Sequence, residues 1–133
     1  MSLRHGVYGI LVANNSVGDT KVLMVKTQSG PLSIWNFPGG GIDAGENEEQ
    51  TLVRECQEEI GAAVTVHECL YAPEKLFVHP ALGYQSVMRY YRIALVFGSQ
   101  IDYRVHVAQW FQRDDLPFEA MLSVDQEMAR LLF

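Results

Sequence analysis

The chain has 133 residues and a formal charge of −6, and 48% of its residues are hydrophobic. This length and composition are typical of a globular protein, and we expect one domain over residues 1–133. No apolar run reaches the roughly 18 residues of a membrane span, and the first residues lack the apolar core of a signal peptide. Because an acidic surface repels a phosphate backbone, we expect neither polymeric nucleic acid nor a membrane as a partner.

Strands are predicted where β-branched and aromatic residues are concentrated between turn-forming residues. The predicted strands lie at residues 6–13, 21–26, from 35 into the glycines at 39–41, 62–71, within 84–97, and at 105–111. Residues 27–33 contain Gly30 and Pro31 and are expected to form a loop. The two cysteines, Cys56 and Cys69, lie outside any C-x-x-C pattern, so we expect free thiols and a cytoplasmic protein.

Two helices are predicted. The first covers about Asn47–Ile60 and ends at Gly61, a residue type that favours the left-handed conformation found after helices. The second covers Ser123–Leu132, with Ser123 as the N-cap residue and Gln126 completing a capping box. Several strands with only two helices predict an α+β fold, in which helices cover a mixed sheet.

The first predicted helix carries three acidic residues on one face. Glu55 lies three residues before Glu58 and four before Glu59, so the spacing places like charges beside each other. A hard cation such as Mg²⁺, which takes oxygen ligands, would explain this arrangement. A solvated acidic face is the alternative, and the helix alone leaves both interpretations open.

Glycine and charged residues follow a fixed spacing over residues 40–62. In chain order they are Gly40, Glu46, Arg54, Glu55, Glu58, Glu59 and Gly61. This pattern resembles the signature of the Nudix hydrolase family, with Cys56 and Ala62 where that family carries larger aliphatic residues. The resemblance implies a Nudix-type α/β/α sandwich with a mixed β-sheet between helices.

The resemblance also implies roles for individual residues. The metal ligands would be the carboxylates of Glu55, Glu58 and Glu59 and the carbonyl of Gly40, binding Mg²⁺ with Mn²⁺ as a substitute. Glu58 would also take a proton from the attacking water, while Arg54 and Glu46 would hold the ligating glutamates in position. Outside the signature, the candidate substrate contacts are Lys26, Trp35 and Arg89.

One departure concerns the general base. Many family members carry a further carboxylate shortly before the residue that corresponds to Trp110. Here residues 103–107 contain none, and Asp102 lies just outside that window. The number of metal ions and the identity of the base therefore stay open at the level of sequence.

The implied activity is Mg²⁺-dependent cleavage of a diphosphate linkage in a nucleoside diphosphate derivative. The short chain resembles MutT-type members, which favours a (d)NTP pyrophosphohydrolase acting on an ordinary, oxidised or noncanonical nucleotide. The alternatives are a hydrolase of another conjugate, such as a nucleotide sugar, and a non-catalytic nucleotide sensor. We expect a small-molecule nucleotide as the partner, and a homodimer stays open as the assembly.

Overall fold

The computed structural model describes residues 3–14 and 18–132. Within this part of the chain there are eight strands and two α-helices. The strands are β1 (Leu3–Asn14), β2 (Thr20–Ser29), β3 (Leu32–Asn36), β4 (Gly39–Gly41), β5 (Val64–Tyr71), β6 (Phe77–Val78), β7 (Gln85–Leu95) and β8 (Ala108–Phe111). The helices are α1 (Glu48–Ile60) and α2 (Ser123–Leu132), and short 3₁₀ turns cover Arg113–Asp115 and Phe118–Ala120. Neither α-helix is long and apolar enough to cross a membrane.

The strands form one mixed sheet. Its central order is β3-β2-β1-β7-β5, while β4 pairs with β1, β6 with β7 and β8 with β2. The pairing of β1 with β7 is parallel, and the other pairings are antiparallel. The predicted α+β class with a mixed sheet is confirmed.

Each face of the sheet packs against one helix. Because side chains alternate along a strand, β2 sends Leu23 and Val25 to one face and Val22 and Met24 to the other, all fully buried. The first pair joins the core under α1, with Leu52, Cys56 and Ile60. The second pair joins the core under α2, with Val124, Met128 and Ala129. The sheet therefore lies between the two helices, as expected.

Helix α1 is fixed at both ends by signals in its own sequence. The side chain of Asn47 accepts a 2.8 Å hydrogen bond from the Gln50 backbone, and the Gln50 side chain accepts one from the Asn47 backbone at 3.0 Å. This capping box satisfies N–H groups that the first turn leaves unpaired. At the other end, Gly61 adopts the left-handed conformation with φ of 62° and donates to the carbonyl of Gln57. The predicted bounds of the helix are therefore confirmed.

The loop predicted over residues 27–33 is wrong. Strand β2 continues to Ser29 and β3 begins at Leu32, so that only Gly30 and Pro31 connect them, with Gly30 at a φ of 59°. Thr27 pairs with Ile34 inside this hairpin. A two-residue turn is enough because glycine adopts positive φ without strain.

The capping box predicted at the start of α2 is also wrong. Ser123 is the first residue of the helix rather than the residue before it. The side-chain amide of Gln126 donates to the carbonyls of Phe118 and Met121, both at 3.0 Å. Gln126 therefore links the start of α2 to the preceding 3₁₀ turn and to Met121, the residue that follows that turn.

Candidate active site

The glycine strand β4 brings two glutamates of α1 onto consecutive residues. The backbone N–H of Gly39 donates a 3.0 Å hydrogen bond to Oε2 of Glu59. A side chain at Gly40 would place its Cβ 2.7 Å from Oε1 of Glu55. Gly39 has a φ of 147°, and a Cβ there would lie 2.1 Å from the carbonyl oxygen of Val7. The backbone conformation and the Val7 carbonyl therefore require glycine at position 39, while a side chain at position 40 would displace the Glu55 carboxylate.

Glu59 is the buried member of the acidic group, with 8% of its surface exposed. Burial, with a contribution from the nearby Glu55 and Glu58 carboxylates, raises the pKa of the Glu59 carboxyl to about 9, against the opposing hydrogen bond from Gly39. A second negative charge beside a desolvated carboxyl is unfavourable unless a cation compensates it. Without a cation the Glu59 carboxyl therefore keeps its proton near neutral pH, and a bound positive ion would compensate its ionised form.

Arg54 is the cation at the centre of this group. Its guanidinium contacts four carboxylates, at distances of 2.7 to 3.2 Å, which belong to Asp43, Glu46, Glu55 and Glu58. The contact with Glu58 has the i,i+4 spacing along α1. One arginine cannot neutralise four carboxylates, so the cluster retains negative charge.

Glu46 is the most firmly held of the Arg54 partners. It receives hydrogen bonds from Arg54, from the hydroxyl of Thr51 at 3.0 Å and from the backbone of Asp43 at 3.3 Å. These contacts, led by the bond from Arg54, lower the pKa of Glu46 to about 2. Glu46 is thus a permanent anion, and it fixes the position from which Arg54 reaches Glu55 and Glu58.

The arrangement of the glutamates bears directly on metal binding. Within residues 3–14 and 18–132, no three His, Cys, Asp or Glu side chains converge in a geometry ready for a metal ion. Glu55 and Glu59 meet at the glycine strand, whereas Glu58 is turned toward Arg54 with 57% of its side chain exposed. Carboxylate and carbonyl oxygens around a residual negative charge are nevertheless the donor type that Mg²⁺ takes. The donor set therefore fits a hard divalent cation, provided that Glu58 leaves Arg54.

The three candidate substrate contacts fall into two groups, one on β2 and β3 and the other on β7. Lys26 lies within β2 rather than at its end, opposite Trp35 in β3, with its ammonium 5.8 Å from the centre of the Trp35 ring. Arg89 lies in β7 and forms a 3.0 Å ion pair with Glu48, the first residue of α1. Lys26 and Trp35 thus contact each other, while Arg89 is paired with a carboxylate at the start of α1.

Sequence reasoning did not single out two residues of the Arg54 cluster. Asp43 forms a turn in which the Glu46 N–H donates to its carbonyl at 3.1 Å, with Gly45 at a φ of 85°. The Asp-Ala-Gly-Glu run over residues 43–46 was the available signal for that turn. Thr51 is fully buried, and a hydroxyl on the apolar face of a helix indicates a hydrogen-bonded partner.

Two sequence relatives match part of the chain. A CTP pyrophosphohydrolase of Escherichia coli is 40% identical over 52 residues, which are 38% of this chain and 38% of that protein. An RNA pyrophosphohydrolase of Campylobacter jejuni subsp. doylei is 40% identical over 58 residues, which are 44% of this chain and 36% of that protein. The matches therefore span well under half the length of these curated relatives.

Similarity of fold extends further than similarity of sequence. A MutT NUDIX hydrolase from Burkholderia pseudomallei superposes with a TM-score of 0.74 at 20% identity, covering 100% of both chains. At that identity the likeness concerns the fold alone. The family model of the NUDIX domain matches residues 3–132. With the glutamates of α1 seated on the glycine strand and this match over nearly the whole length, the chain belongs to the NUDIX domain family.

Proposed function

We propose that this protein is a Mg²⁺-dependent pyrophosphohydrolase that cleaves a nucleoside triphosphate to a nucleoside monophosphate and pyrophosphate. The observation that carries the proposal is the close contact of Glu55 with Gly40 and of Glu59 with Gly39. These contacts lie beside the carboxylates around Arg54, which together retain negative charge. Membership of the family and the names of the relatives support hydrolysis of a diphosphate linkage.

The proposed ligand set is Glu55, Glu58 and Glu59 with the carbonyl of Gly40. When bound, Mg²⁺ would neutralise the diphosphate charge and lower the pKa of the attacking water. Mn²⁺ would substitute for it because it also binds carboxylate oxygens. Glu59 is held by the Gly39 N–H, so its carboxylate keeps a fixed orientation. Fixed donors of this kind serve phosphoryl chemistry, which depends mainly on positioning and charge stabilisation.

Glu58 is the proposed general base. It is the most exposed of the three glutamates at the site, and a water molecule can therefore reach it. Nη1 of Arg54 donates to its two carboxylate oxygens at 3.2 and 3.3 Å, a contact that Glu58 leaves when it binds the cation or accepts the proton. Arg54 itself is oriented by Glu46, so these two residues are positioning residues for the base.

The test is a nucleotide panel with Mg²⁺, with products separated by chromatography. The panel holds ordinary and oxidised (d)NTPs, nucleotide sugars and 5′-triphosphorylated RNA. We expect a nucleoside monophosphate and pyrophosphate from one or more triphosphates, and loss of that activity with excess chelator. Glu55→Gln, Glu58→Gln and Glu59→Gln should each lose most of the rate, while Glu49→Gln, an exposed residue of the same helix, should keep it.

Other products of the nucleotide panel would point to a different substrate class or to a protein that binds nucleotides without hydrolysing them. Release of a sugar phosphate or of pyrophosphate from RNA, with no reaction of free triphosphates, would replace the proposed substrate class with that one. Tight nucleotide binding without any product would indicate a sensor. Full activity in excess chelator would overturn the metal assignment.

A further inference from the structure

Arg4 lies beside the glycine strand, against Gly41. Six of the ten Lys and Arg side chains form ion pairs with carboxylates in the described part of the chain. In residues 3–14 and 18–132, no carboxylate oxygen lies within 4.0 Å of the Arg4 guanidinium. Arg4 is exposed near the start of β1, so its five N–H donors are available to a ligand.

Two contacts fix the position of Arg4. Its guanidinium carbon lies 5.1 Å from the centre of the Tyr84 ring, a cation–π distance. Its Nε lies 2.6 Å from the point where a Cβ on Gly41 would be. The side chain of Arg4 therefore occupies the space that the missing side chain of Gly41 leaves, directly against the glycine strand.

Tyr84 is in turn held by the turn that precedes β7. The His79 N–H donates to the Tyr84 carbonyl at 3.0 Å, and the two rings lie 5.0 Å apart. Nδ1 of His79 accepts hydrogen bonds from the backbone of Ala81 and Leu82 at 3.1 and 3.0 Å. His79 is 1% exposed, so this turn is anchored in the interior and presents Tyr84 to Arg4 as a fixed platform.

Arg4 and the glutamates lie on opposite faces of the same strand. Gly40 pairs with Val7, whose side chain belongs to the core under α1, and Glu55 approaches Gly40 from that side. Gly41 is the next residue, so its missing side chain faces the other way, toward Arg4. Because β4 carries no side chains, only its backbone at Gly40 and Gly41 lies between Glu55 and Arg4.

The cavity at Arg4 fits an anionic group. It has a volume of about 500 Å³ and is lined by Leu3, Arg4, His5, Ile42 and Tyr84. None of these side chains is acidic, in contrast to the carboxylates on the other face. A guanidinium in such a place recognises phosphate oxygens, since its planar donors match them in pairs.

We propose that Arg4, held by Tyr84, binds the phosphate chain of the substrate on the face of the glycine strand opposite Glu55. The assignment rests on the proposed function, because it takes the substrate to be a nucleoside polyphosphate. Arg4 supplies the positive charge that the acidic face lacks. It acts in substrate binding rather than in the chemical step.

The test compares Arg4→Gln with Arg92→Gln. Arg92 is also an arginine of the sheet with about half of its side chain exposed, but it is paired with Glu68. We expect Arg4→Gln to raise KM about tenfold, the effect of losing one charge-assisted hydrogen bond, with kcat changed by less than about twofold. Arg92→Gln should leave both constants within about twofold of the unmodified protein.

Equilibrium binding gives a readout that does not depend on turnover. The probe is a non-hydrolysable α,β-methylene nucleoside triphosphate titrated calorimetrically in the presence of Ca²⁺. We expect its Kd to rise about tenfold in Arg4→Gln and to recover in part in Arg4→Lys, which keeps the charge without the planar fork. Tyr84→Phe should bind as the unmodified protein does, and Tyr84→Ala should bind more weakly, because only the latter removes the ring.

The outcomes separate this inference from the proposed function. Unchanged KM and Kd in a folded Arg4→Gln variant would overturn the role of Arg4 and leave the hydrolase intact. Arg4-dependent binding by a protein that releases no product would support Arg4 and overturn the hydrolase. A thermal melt of each variant establishes that it is folded.

Discussion

Arg54 donates two hydrogen bonds to Glu46, from Nε to Oε2 at 2.7 Å and from Nη2 to Oε1 at 3.0 Å. The two residues are eight positions apart, and Glu46 precedes the helix that carries Arg54. This planar contact leaves Nη1 of Arg54 for Glu55 and Glu58. The position of both glutamates thus depends on a pair that lies outside the proposed ligand set.

Arg54→Lys should therefore reduce kcat/KM on the order of tenfold to a hundredfold, because lysine keeps the charge but cannot make the two-point contact. The matched control is Arg104→Lys. Arg104 makes the same kind of contact with Asp102, with both N···O distances at 2.9 Å, outside the acidic cluster. Steady-state rates of the two variants test this prediction. An equal loss of kcat/KM in both would show that the contact of Arg54 with Glu46 does not position the glutamates for catalysis.

Mg²⁺ should raise the thermal midpoint of unfolding by several degrees. A cation that binds only the folded state stabilises it, by roughly 2.7 kcal/mol at a hundred times its Kd, and it relieves the repulsion around the buried Glu59. In Glu59→Gln the metal-free midpoint should rise and most of the response to Mg²⁺ should disappear. Glu49→Gln should respond like the unmodified protein.

Scanning calorimetry with and without millimolar Mg²⁺, at matched ionic strength, measures this response. NaCl at the same ionic strength is the control for screening of surface charge. A midpoint that moves equally with both salts would favour the solvated acidic face over a metal site.

Asp102→Asn should cost less than about tenfold in kcat, since Asp102 does not have the properties of a general base. The Arg104 side chain and backbone hold its carboxylate and lower its pKa to about 2. Glu58→Gln should cost about a hundredfold or more, as expected for a base or a ligand. Rates of both variants at saturating Mg²⁺ test the assignment, and a larger loss in Asp102→Asn would place the base outside α1.

The buried pair of Tyr90 and Asp125 should make stability depend on pH. The Tyr90 hydroxyl donates to Oδ1 of Asp125 at 2.5 Å, and burial raises the pKa of Asp125 from 3.8 to about 7. Because the folded pKa lies above the unfolded one, the folded state binds more protons between these values. The contribution of Asp125 to the free energy of unfolding is fully present below about pH 3.8 and is lost as the pH rises through about 7.

Asp125→Asn removes this titration and keeps an acceptor oxygen for Tyr90. The variant should gain stability relative to the unmodified protein by at least about 1 kcal/mol between pH 5 and pH 8. Its buried amide adds an offset that does not vary with pH. Urea unfolding at the two pH values measures the difference, with Asp114→Asn as the exposed control, and a difference that is constant with pH would contradict the prediction.

Local signals explain why helix α1 could be predicted from the sequence. Asn47 and Gly61 bound the helix through contacts with residues three or four positions away, and the spacing of Glu55, Glu58 and Glu59 follows from helical geometry alone. The hairpin at Gly30 was missed because a Gly-Pro pair also suits a longer loop. Local sequence does not determine which of the two forms.

Contacts between distant segments could not be predicted in this way. The parallel pairing of β1 with β7 places Arg4 level with Ser86, and only that pairing brings Tyr84 under Arg4. Asp125 lies on the apolar face of α2, where a carboxylate is unexpected, and this was a usable signal for a buried partner. The identity of that partner, Tyr90, depends on the packing of the helix on the sheet.

The two cysteines differ in a way that suits chemical labelling. Cys56 is fully buried under α1, whereas Cys69 is exposed in β5. A thiol-reactive dye should therefore attach at one position of the folded protein and at two positions of the unfolded one. Cys69 is therefore an attachment point for a fluorescent reporter. The rate at which Cys56 reacts would measure how fast helix α1, which carries the glutamates, opens.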